Sequence, residues 1–261
     1  MPKETFGGDD EGGAAVEEKK RKLDLSKYSK GQDTNIRDVF WAIIGSYGAK
    51  QTPDFSDLEN DRFALIRVAT SAISNPSPLR VRLTSATISR YTLMMVMDAG
   101  WQDCFTEFLE ECAAREQQRN AVIAGMKKIE EDPKYSQKMV ESLRSMLRQH
   151  EMSAITLKYL AEMSSIKIME ELKKELVIFA RGDIGDNQLN AIAALSALPK
   201  DADVIKTMIL LLSHWDEAAR MAAAVFLLKN RSSDGDAALE RRLEKETDPS
   251  IRNIIQKKKK E

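Results

Sequence analysis

Two histidines and two cysteines are the scarce reactive side chains of this 261-residue chain. Neither His150 nor His214 has Cys, Asp or Glu at a metal-ligand spacing, so each reads as a surface or helix-end residue. Cys104 and Cys112 lie in one expected helix, eight positions apart, too far to bridge without breaking it. Their apolar neighbours Phe105 and Phe108 raise a thiol pKa rather than lower it, which makes both cysteines core residues and poor nucleophiles. The carboxylate pairs Glu110-Glu111, Glu130-Glu131 and Glu170-Glu171 fall on otherwise solvated helix faces and do not define a hydrolytic pair. Gly7-Gly8 and Gly12-Gly13 lack the preceding strand and following helix of a phosphate-binding loop. The methionines at 94, 95, 97, 139, 146 and 152 follow helical spacing, which favours core filling over an adaptable groove. The expectation is a non-enzymatic protein with no metal and no cofactor.

Binding chemistry therefore has to come from the elements, and these are helical. In the C-terminal quarter a helix start recurs at Asp186, Asp216 and Asp248, at intervals of about one helix pair. Each Asp can accept from the free N–H groups of a first helical turn and suits the positive end of the macrodipole. Ala191, Ala193 and Ala194, then Ala222, Ala223 and Ala224, allow close backbone approach, with Leu195, Leu198, Val225 and Leu228 filling the gaps. Second helices are expected from Asp203 and from Asp236, after the turn residues Pro199 and Ser232, Ser233 and Gly235.

This Asp-x-x-Val-Arg-x-x-Ala-like pattern resembles a HEAT repeat, in the short form of the bilin-lyase-like families. Asp216, Arg220, Ala223 and Ala224 carry the match, with Asp248, Ile251 and Arg252 matching in part. Asn190 stands where the pattern expects Arg, which puts an Asp/Arg ladder between units in doubt. The resemblance covers residues 186–255 and implies a scaffold or adaptor built on a helical solenoid.

Upstream, helices are expected from Ile36, over 57–74, over 79–98, over a longer stretch at 101–132, over 136–149 and over 153–180. The stretch at 101–132 changes from apolar (Phe105, Phe108, Leu109, Cys112) to polar (115–120), so half of it is expected to project as a coiled-coil-like section. Asn75-Pro76-Ser77-Pro78 and Asp132-Pro133 are expected breaks. The domain expectation is a disordered charged tail at 1–33, a helical domain at 34–181, HEAT-like repeats at 182–256 and a basic tail at 257–261. The fold class is all-α.

Apolar residues make up 43% of the chain, ample for buried cores, and charged residues nearly cancel to a formal net charge of -1. No apolar run reaches membrane-spanning length and no signal peptide opens the chain, so a soluble, cytoplasmic protein is expected, with no membrane partner. The leading functional expectation is an adaptor that binds another protein through the second helices and inter-repeat turns, with Lys206, His214 and Trp215 as partner-binding residues. The alternative is a helical nucleic-acid coat or regulatory protein using Lys257 to Lys260 and Arg80, Arg82 and Arg90.

Overall fold

Local capping chemistry sets most helix starts. In the computed structural model, which describes residues 22–23, 35–75, 83–182 and 185–258, thirteen α-helices are seen. They are α1 (Ile36–Gly48), α2 (Arg62–Ser74), α3 (Ser85–Ala99), α4 (Gln102–Ala113), α5 (Glu116–Glu130), α6 (Pro133–Leu147), α7 (His150–Met163), α8 (Ile166–Gly182), α9 (Asp186–Leu195), α10 (Ala202–Leu211), α11 (Glu217–Lys229), α12 (Ser233–Lys245) and α13 (Pro249–Lys258). The described strand pairing is two residues long: β1 (Lys22–Leu23) runs parallel to β2 (Thr52–Pro53). The all-α class holds. The expected disordered tail lies outside the described residues apart from Lys22–Leu23, and so do the break at 76–78, the helix start at 79–82 with Arg80 and Arg82, and the end of the basic tail.

The boundaries correct several expectations. The expected break at Asp132-Pro133 separates α5 from α6, but the new helix starts at once rather than at Ser136, since Asp132 accepts from the Lys134 N–H and Pro133 takes the first helical position. Asp201 rather than Asp203 caps α10, and Ser232 rather than Asp236 caps α12. Asp216 caps α11 through Ala218, and Asp248 serves Ser250 and Ile251 at the start of α13. Asp186 does not cap α9, where Gly185 takes that place at φ 65°. The long helix at 101–132 is two, parted at Ala114 and Arg115, and the stretch at 153–180 is also two, because Ser164 adopts the left-handed conformation at φ 53°. No half-helix projects. Gln118, inside the polar stretch, is buried and donates to the Thr70 carbonyl and the Ser74 hydroxyl.

Alternate helices stack on one another in two layers. Odd helices touch the next odd helix from α1 to α13, and even helices touch the next even helix from α2 to α12. Polar pairs show that α2 and α4, and likewise α6 and α8, run in the same direction. Arg62 meets Asp103 and Thr70 meets Glu111 across α2 and α4 at the same separation of 41 residues. Arg144 and Arg148 both meet Glu175 on α8, and Lys173 of α8 meets Asp201 at 2.7 Å. This packing is compatible with a helical-repeat solenoid, and it reaches well upstream of residue 186.

The buried side chains form one continuous hydrophobic cluster from Val39 to Ile255. At the expected domain boundary α9 packs directly on α7 and α8. Close approach is most severe between α3 and α5, where a Cβ on Gly125 would lie 2.8 Å from the Arg90 backbone nitrogen. Of the small residues in the repeats, Ala191, Ala194, Ala223 and Ala224 are buried between helices, while Ala193 is exposed and Ala222 half-buried.

Candidate partner-binding surface

Lys206, Trp215 and His214 are placed by α10 and the turn that follows it. Lys206 is exposed on the outer face of α10, one turn before Leu210, which is itself 55% exposed. Trp215 is the most exposed large hydrophobic residue described, at 73%. His214 is half-buried beside it, with ring centroids 5.4 Å apart. Both of its ring nitrogens face the protein. Nδ1 accepts from the Asp216 N–H at 3.1 Å, and Nε2 lies 3.4 Å from the Gln188 amide nitrogen. Gln188, fully buried, donates to the Ala180 carbonyl and so ties the turn back to α8.

The turn is held from below by Arg220. Its Nη1 donates to the carbonyls of His214 at 3.1 Å and Trp215 at 2.8 Å, while Nε and Nη2 grip both oxygens of Glu246 at 3.1 Å. Glu246 is inaccessible to solvent and also accepts from Arg242 at 2.7 Å and from the backbone N–H groups of Thr247 and Asp248. Burial alone raises a carboxyl pKa. Here the bonds from Arg242 and Arg220 outweigh it and lower the group to about 2. Arg252 repeats the device one unit later, bonding the carbonyls of Glu246 and Leu243. The result is an exposed indole on a backbone fixed at two carbonyls.

The other polar cluster is a structural tie. Asp98, at the end of α3 with 5% of its side chain exposed, accepts from Tyr135 at 2.6 Å, Lys138 at 2.8 Å and Tyr47 at 3.3 Å, with Lys134 beside it. Burial works to raise its pKa, but the bonds from Lys138 and Tyr135 hold it below the usual carboxylate range. Burial, joined by the Asp98 charge, pushes both phenols up. Every oxygen there is spent on joining α1, α3 and α6. Burial likewise pushes the Cys104 and Cys112 thiols up to about 12, a range in which they stay protonated at neutral pH.

Two members of the surface were not legible as such in the sequence. Leu210 and Ile178, the latter 68% exposed on α8, stand in apolar runs whose other members are buried or half-buried, and the run itself does not say which member faces out. Arg220 was visible as part of the repeat, but its hold on the Trp215 carbonyl was not, because the sequence does not say which turn an Arg reaches. Comparison with protein-family models and with curated proteins returns no match.

Proposed function

We propose that the protein is a non-enzymatic adaptor that binds another protein through the surface around Trp215, Leu210 and Lys206. The observation that carries this is the exposed indole on a turn pinned by Arg220. A large apolar side chain kept in water costs free energy in the free protein, and a turn already ordered loses little entropy on association. Tryptophan and arginine are also the residues that most often dominate binding energy at interfaces. The stacked helix pairs, with Asp216 and Arg220 and again Asp248 and Arg252 at matching positions, support a HEAT-type array, whose elongated surface suits a scaffold. The cytoplasm fits two free cysteines.

The test is a selection of helical peptides from a random display library on the immobilised full chain, followed by titration of the enriched peptides against wild-type protein and Trp215→Ala. The adaptor surface predicts enrichment and a loss of affinity of about tenfold or more in the variant. Enriched peptides that bind both proteins equally, or no enrichment at all, would sink it.

A further inference from the structure

We infer that this surface selects an acidic partner segment, one that presents apolar side chains flanked by Asp or Glu. The inference rests on the adaptor reading and adds the chemistry of the partner. Lys173 of α8 meets Asp201 at 2.7 Å and Asp203 at 3.7 Å, at the start of α10. The Arg144–Glu171 and Arg148–Glu175 contacts, one turn apart on both helices, show that α6 and α8 stack in parallel, and α10 is taken to run in the same direction. Carrying the separation of 28 residues along α8 and α10 sets Ile178 level with Lys206 and Arg181 level with Ile209. Lys174, Ile178 and Arg181 recur at intervals of four and three and are all exposed, as are Lys206 and Leu210 four apart. These two rows, with Trp215 just beyond the end of α10, make one outward face: three apolar groups among three cations.

Of the neighbouring anions, Glu170 stands exposed one turn before Lys174 in the same row, and the others are engaged. Glu175, only 16% exposed, faces Arg144 and Arg148 of α6. Asp203 faces Lys173, and Asp216 caps α11. Lys174, Arg181 and Lys206 form no ion pair among the described residues. A face with bare apolar groups and more cations than anions is complementary to an apolar segment of negative charge and disfavours a basic one.

Two synthetic helical peptides with identical leucine and phenylalanine anchors, one flanked by glutamate and one by lysine, test this by fluorescence polarisation on the full chain. The acidic peptide should bind roughly tenfold or more tightly than the basic one, and its affinity should fall as salt rises. Lys174→Glu, Arg181→Glu and Lys206→Glu combined should reverse the preference, a readout that loss of folding cannot imitate. Equal binding of the two peptides, binding of neither, or a preference that survives the charge reversal would overturn the inference. Failure here with a library selection that still depends on Trp215 removes only the acidic chemistry, whereas failure of the selection removes the adaptor reading as well.

Discussion

Glu246 shows how one residue holds a whole turn. Its carboxylate is inaccessible to solvent and satisfies two arginines and two backbone N–H groups. Glu246→Gln keeps the shape but leaves Arg220 and Arg242 without a counter-charge, and removing one partner of a buried pair costs about 3–5 kcal/mol. The pH signature follows from the sign of the shift. The folded carboxyl is depressed from 4.5 to about 2, so its contribution is fully present above pH 4.5 and is lost as pH falls toward 2. Urea unfolding of the wild type should therefore weaken across that window, and the Gln variant should lack this part of the decline. Parallel pH profiles for the two proteins would show that Glu246 carries no such linkage. Trp215→Ala, by contrast, removes an indole that is mostly in water, and should shift stability by no more than about 0.5 kcal/mol in the same assay. A larger loss would mean that the indole is a packing residue rather than a free anchor.

Among the helices, two glycines with the same local propensity have opposite roles. Gly45 sits exposed in α1 with nothing within 4 Å of an added Cβ, so Gly45→Ala should stabilise by about 0.5–1 kcal/mol through reduced backbone freedom. Gly125 in α5 is buried, and its Cβ would meet the Arg90 nitrogen at 2.8 Å, the Ser89 Cβ at 3.0 Å and the Ala86 carbonyl at 3.2 Å. Backbone cannot swing aside, so Gly125→Ala should destabilise by about 1–3 kcal/mol despite better helix propensity. Thermal melts of the pair decide it, and the same sign for both would refute the close approach of α3 and α5. The contrast also marks what a sequence can say. Helix existence follows from apolar period and caps, which is why Asp216, Asp201 and Ser232 stand at or near expected starts. Splits such as Ser164 in its left-handed turn depend on tertiary packing of the helices on either side, and no local signal separates them from a continuous amphipathic run. The layered stacking upstream of residue 186 was hidden for a related reason. Its register is kept by pairs such as Arg62 with Asp103 and Thr70 with Glu111, which are far apart in the chain and repeat no motif.

Across the whole molecule, one buried cluster runs from Val39 to Ile255, and α9 seals faces of both α7 and α8. Continuity of this kind predicts a single cooperative transition, in which Ala223→Glu, placing an unpaired carboxylate at a fully buried site, lowers the midpoint of every helical probe together. Two separated transitions, with only the later one moved by the variant, would instead support independent units on either side of residue 182. The global charge separates the two functional classes. With a formal net charge of -1 the chain has no overall field to gather a polyanion, so nucleic-acid binding would have to depend on local cations, chiefly Lys257 to Lys260. The outer face of α8 and α10 also carries more cations than anions, but its charge surrounds Ile178 and Leu210, and aliphatic groups gain nothing from phosphate. Replacing Lys257 to Lys260 by Gln should therefore leave acidic-peptide affinity unchanged, while Trp215→Ala abolishes most of it. On a labelled single-stranded oligonucleotide, an adaptor gives weak binding in both variants. A coat protein would lose affinity with the lysines, its salt slope falling by about one per lost phosphate contact.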